Sequence, residues 1–162
     1  MIRFAATALA ALLLAVPVAH GAGRTAPPEP WATVNVCDTF DHPNEIGIRG
    51  SMPGLSRRSR MYMRFRVQFR DANGDWRTVR EGADSGWRRI DSGRGGEHDA
   101  GYSFTFRPPA VGGAHILRGL VNFQWRRSGD VVKRDRRTTE AGHPDTAGAD
   151  PPDFSERTCA IA

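Results

Sequence analysis

The chain has 162 residues, a formal net charge of +5 and a mean hydropathy of −0.50, with 25% charged and 9% aromatic residues. That balance excludes a multi-span membrane protein and a fully disordered chain, and leaves room for one ordinary domain. Of the 23 basic residues only Lys133 is a lysine. With abundant Ala and Gly, such a bias reads first as the signature of a G+C-rich genome, and a high pI by itself specifies attraction to polyanions without naming one.

In chain order, residues 1–21 read as a secretory signal peptide. Arg3 supplies the positive start, Ala5 to Val18 an apolar run interrupted only by Thr7 and Pro17, and Ala19-His20-Gly21 a small-residue cleavage zone. The run is roughly 14 residues, short of the about 20 that cross a bilayer. Cleavage after Gly21 would remove Arg3 and lower the net charge to about +4. The expected location is therefore outside the cytoplasm, secreted or in the cell envelope. Residues 22–30, with Pro27-Pro28 and Pro30, read as an extended linker. Residues 31–162 are the size of a single domain.

Within that span the apolar residues recur with period two. Met61, Met63, Phe65, Val67 and Phe69 alternate with Arg60, Tyr62, Arg64, Arg66, Gln68 and Arg70, which predicts a long strand over 60–70 with one buried and one wet face. Tyr102 to Phe106 and Leu117 to Arg126 alternate in the same way. Weaker strands are expected over 33–38, 45–51, 76–80, 87–92 and 131–138. Asn73-Gly74 and Ser128-Gly129 supply the positive φ that tight hairpins need, and Ser92 to Gly96 and Pro108 to Ala114 read as longer loops. Met63, Phe65, Val67, Phe104, Phe106, Phe123 and Trp125 are the expected core. Residues 140–158 have neither period and read as a long loop returning to Cys159, packed by Phe154.

Seven or eight short strands with turns every 8 to 12 residues or so predict an all-β fold, an antiparallel β-sandwich. The order of the long amphipathic strand, the Tyr102-Ser103-Phe104-Thr105-Phe106 strand, the Gly-rich loop, the Arg118-Gly119-Leu120-Val121 strand and the closing hairpin resembles immunoglobulin-like and fibronectin-type-III-like modules of exported bacterial proteins. The resemblance covers about residues 31–139. It implies an immunoglobulin-like sandwich and assigns no functional residue. The two cysteines, Cys37 and Cys159, sit at the ends of the domain, unlike the inter-sheet pair of antibody domains. An even count in an oxidising compartment predicts that they form one disulfide.

No catalytic spacing is present, and the chain reads as a non-catalytic protein with no cofactor. Glu97-His98-Asp99 lies in the Gly-rich stretch, and Ser85, Ser92 and Ser103 carry no nucleophile-elbow pattern. Two arrangements deserve a structural test. If the disulfide draws the chain ends together, His42 and His143 with Asp41 and Asp145 would make a ligand set for a divalent metal. Arg60, Arg64, Arg66 and Arg70 share the wet face of one strand, where guanidinium groups interleaved with Tyr62 and Gln68 would bind anionic polymers of the cell envelope. Specific recognition of nucleic acid is not expected.

Overall fold

Alternation over Arg60 to Arg70 becomes the central strand of the molecule. The computed structural model describes residues 28–162; the expected signal peptide and the first part of the linker lie outside the described residues. Among the described residues there are nine strands and no helix: β1 (Trp31–Cys37), β2 (Glu45–Pro53), β3 (Ser59–Arg70), β4 (Trp76–Thr78), β5 (Arg88–Gly93), β6 (Glu97–Thr105), β7 (His115–Arg127), β8 (Asp130–Thr138) and β9 (Cys159–Ile161). Every strand pairing is antiparallel.

The strands form a three-stranded sheet, β1-β2-β6, and a six-stranded sheet ordered β4-β3-β7-β8, with β5 also on β3 and β9 also on β7. β4 and β5 occupy opposite ends of the same edge of β3, at Gln68 to Arg70 and at Ser59 to Met63. The chain between them fills the gap, with Val67 donating its N–H to Ala83 and Ser85 donating to Phe65. The central edge of β3 is thereby left with few unpaired groups.

One apolar core joins the two sheets. Ala32, Val34, Ile46, Ile48 and Met52 from the smaller sheet meet Met61, Met63, Phe65, Val67, Val121, Phe123 and Trp125 from the larger, all with no measurable exposure. Burying aromatic and aliphatic side chains of this size contributes about 1.5 to 3 kcal/mol each. The Trp125 indole N–H donates to the Pro53 carbonyl at 2.8 Å, so the largest core residue leaves no polar atom unmet. Gly119 permits close approach of the sheets, since a Cβ there would lie 2.6 Å from Thr139 Cγ2 and 2.8 Å from Ile48 Cγ2.

Cys37 and Cys159 are bonded, with Cα atoms 5.3 Å apart, joining the last residue of β1 to the first of β9. Two sequence expectations are corrected. Glu97-His98-Asp99 belongs to β6 and not to a loop, because Gly95 and Gly96, with φ of 62° and 71°, complete the turn and free the following residues to pair with β2. Phe106 is only half-buried, because it lies one residue past the end of β6. The 140–158 return contains no named strand or helix. It lies along β1, bridging Val34 with Glu156 and Val36 with Asp150, and the Asn35 amide donates to the Gly148 carbonyl at 2.9 Å. Phe154 packs against the core as expected.

Candidate functional site

The outer face of the six-stranded sheet is built by register. Arg60, Tyr62, Arg64, Arg66 and Gln68 of β3 stand opposite Arg126, Gln124, Asn122, Leu120 and Arg118 of β7. Much of this positive charge is engaged within the protein. Arg64 grips the Asp84 carboxylate through Nε at 2.8 and 3.0 Å and through Nη2. That contact raises the Arg64 pKa and lowers that of Asp84, in both cases chiefly by the hydrogen bond between them. Arg66 donates to Asn122 at 3.4 Å, and Arg70 donates to the Gly74 carbonyl at 3.3 Å at the far end of the strand. Arg118 lies 4.2 Å over the Trp76 ring and donates to Gln68 at 2.8 Å. Burial, reinforced by the nearby Arg157 charge, pulls the Arg118 pKa down. Of the four arginines singled out in the sequence, only Arg60 joins a larger group of like charges.

That group sits where β3 begins and β5 and β7 end. Arg58, Arg60, Arg89, Arg126 and Arg127, with Ser59, Ser92 and Ser128, line a shallow concavity of about 400 Å³ that has no carboxylate in its wall. A second depression shares Arg58 and Ser92 with the first and adds Ser56, Arg57, Gly93 and Arg94. The fold concentrates them for local reasons. Arg60 pairs in register with Ser92 on one side and Arg126 on the other. The hairpin turn at Ser128-Gly129, with φ of 49° and 99°, then holds Arg127 at the rim.

The electrostatics of this concavity are unbalanced. Among the described residues, none of its five arginines forms an ion pair. Asp91, the acidic residue of β5, accepts hydrogen bonds from the Ser92 N–H and from His98 Nδ1 at 2.7 Å, and these hold its pKa below the ordinary carboxylate value. Arg58 donates to the Ser92 carbonyl at 3.4 Å and Arg126 to Gln124 at 2.6 and 3.0 Å, so both are steered by neutral acceptors. Among the described residues the Ser59 hydroxyl and the Arg127 Nε–H are buried without a partner, Ser59 being only 3% exposed. Unmet buried donors of this kind each cost about 1 to 3 kcal/mol. Repulsion among neighbouring guanidinium groups adds to that cost, and an anion in the concavity relieves the repulsion.

Of the aromatic rings beside it, Tyr62 carries a guanidinium group over one face and Trp87 is 37% exposed. Arg126 lies 4.5 Å over Tyr62 and 5.9 Å from the Trp87 ring centre. Flat-face stacking of a base on that face of Tyr62 would first have to displace a guanidinium group.

The proposed metal ligands are held apart. His42 faces Glu45 at 3.6 Å, whereas His143 stacks on Trp31 at 4.1 Å between ring centres and meets Glu140 at 3.1 Å. The Asp145 backbone N–H donates to the Asp153 carboxylate at 3.2 Å. Trp31 begins β1 and Cys37 ends it, so roughly 20 Å of strand separates the His143 neighbourhood from the turn carrying Asp41 and His42. Among the described residues no group of three or more His, Cys, Asp or Glu is placed to hold a metal ion. His98 uses its second nitrogen on the Gly95 carbonyl at 3.0 Å, so both ring nitrogens serve the β5-β6 turn.

Sequence reasoning placed Arg126 on the wet face of its strand but passed over Arg58, Arg89 and Arg127. The signal was a repeated triplet, Arg57-Arg58-Ser59 and Arg126-Arg127-Ser128, that falls at the same end of two neighbouring strands.

No family model matches the chain, and no curated protein matches it. Among solved structures, the chain is similar to "Spo0M, sporulation control protein, from Bacillus subtilis", with 14% identity and a TM-score of 0.28. That similarity covers 69% of this chain and 47% of the other, so the chain spans about half the length of that protein.

Proposed function

We propose that the protein is a non-catalytic module of the cell envelope or extracellular space that binds sulfated or phosphorylated polymers at the β3-β5-β7 end, on an immunoglobulin-like sandwich. The observation that carries the reading is the concavity of five arginines and three serines without a lining carboxylate, none of whose arginines forms an ion pair among the described residues. Planar guanidinium groups bind sulfate and phosphate oxygens bidentately, and serine hydroxyls complete such sites. The guanidinium over Tyr62 favours recognition of the anionic groups themselves over base stacking on that ring.

The architectural part of the reading is supported by strand order. β1-β2-β6 facing β4-β3-β7-β8 corresponds to an A-B-E sheet facing a sheet built on C, F and G. The β2-β3 and β7-β8 connections, which flank the arginine concavity, would then be the loops that carry ligand contacts in variable domains. The leader-like pattern of the first 21 residues supports export.

The test is binding to heparin and to polyphosphate at about 50 and 200 mM salt. Arg58→Glu/Arg60→Glu is compared with Arg107→Glu/Arg157→Glu, which makes the same change in net charge elsewhere. A site requires the first pair to lose at least about tenfold more affinity than the second. Equal losses would show that only net charge acts, and the site would be abandoned.

A further inference from the structure

The opposite end of the two-sheet body carries a different opening. Phe69, Val79, Phe106 and Leu117 form the walls of a cleft of about 780 Å³, with Arg77, Thr78, Arg80 and His115 around it. It arises because the larger sheet overhangs the smaller. The β3-β7 pairing continues to Phe69 and Leu117, whereas β6 ends at Thr105, leaving Phe106 as the last residue from the smaller sheet to cover the apolar face. Phe69 is consequently 37% exposed although it lies on the inward-facing row of β3. An apolar cleft of several hundred Å³ with a few polar groups at its edge has the character of a small-molecule site.

Charge at the rim selects the ligand further. Arg77 is committed to Asp71 at 2.9 Å and Asp75 at 3.3 Å. Arg80 and His115 enter no ion pair among the described residues, and the lining includes no carboxylate. The site therefore offers an apolar body and one unbalanced guanidinium at its mouth. A ligand complementary to both has a single hydrocarbon chain and a single anionic head.

We propose that this cleft binds a free fatty acid, with the chain against Phe69, Phe106 and Leu117 and the carboxylate on Arg80. Arg80 is exposed, so its charge remains available to a head group that stays near water while the chain is removed from it. The proposal is independent of the arginine concavity, which lies at the other end of β3.

The experiment is calorimetric titration of the folded chain with sodium laurate below its micelle-forming concentration. Parallel arms use dodecanol, acetate and phosphatidylglycerol vesicles. The expected result is saturation at one laurate per chain, weaker binding of dodecanol by about tenfold, and none of acetate. Arg80→Glu should weaken laurate by about tenfold and leave dodecanol unchanged, while Phe69→Gln weakens both. Arg58→Glu/Arg60→Glu should alter neither. Because Arg80 is a surface residue, its variant keeps the test valid if Phe69→Gln proves unstable. Absence of saturable laurate binding, binding indifferent to the Arg80 reversal, or adsorption to vesicles without laurate binding would each overturn the proposal.

Discussion

The two ends of β3 solve different problems with the same backbone. At its start, three strand termini converge and each brings arginine and serine to a shared surface, so the local chemistry is dense positive charge around unmet donors. At its finish, the smaller sheet has run out, and the same alternation that buries Met61 to Val67 completely leaves Phe69 partly in water. Side-chain period two is identical at both ends; what differs is which partner strand is present to cover it. Binding surfaces in such a fold thus arise from strand ends that do not coincide, and their chemistry follows from the residues stranded there.

The largest effect should come from the middle that both ends share. Phe65→Ala is expected to cost about 3 to 5 kcal/mol in denaturant unfolding, because the ring is fully buried between the sheets and the cavity cannot collapse easily. A loss confined to one end's binding, without global destabilisation, would contradict a single core. Next in size is the bond between Cys37 and Cys159, which closes a long loop and lies beside the cleft, since Cys159 pairs with Leu117. Cys37→Ser/Cys159→Ser should lower stability by about 2 to 4 kcal/mol, read from denaturant midpoints. It should weaken laurate more than heparin, and the reverse order would break the assignment of the two ends.

Salt sharpens the contrast. If about four guanidinium contacts are made, heparin affinity should fall on the order of a hundredfold between 50 and 200 mM salt. Laurate affinity should fall far less, since burial of its chain is insensitive to screening. Comparable salt slopes would mean that both ligands use one surface.

The smallest effect is in titration. Asp71, at the cleft end, has its pKa lowered first by Arg77 and then by the Asp75 backbone N–H. Asp91, at the arginine end, has its pKa lowered first by the Ser92 N–H and then by His98. A depressed carboxylate stabilises the fold above its unfolded-state pKa, and that contribution is lost as pH falls through the lower folded value. Carboxyl NMR titrations should therefore show Arg77→Ala moving Asp71 upward more than His98→Ala moves Asp91, because Arg77 is the largest cause at Asp71 whereas His98 is only the second at Asp91. Equal shifts would reverse the ranking of causes.

Strand periodicity, turn residues and the cysteine pair were readable from the chain because each is a local signal or a count. Period two marked β3 and β7, Asn73-Gly74 marked the hairpin to β4, and two cysteines in a chain with a leader-like start left one pairing to expect. The composition already held the excess of arginine over lysine. Tertiary structure alone decided which arginines are free. Arg64 lies in the row that the sequence singled out, yet Asp84 reaches it across the β4-β5 connection. Arg58, Arg89 and Arg127 lie in three separate segments and become neighbours only through register between strands distant in sequence. The same holds for His42 and His143, which lie near opposite ends of β1 despite the disulfide between the chain's two cysteines. A residue's own alternation tells whether it faces water, because that depends on its strand; which charges share that water depends on pairing, and pairing is a property of the whole chain.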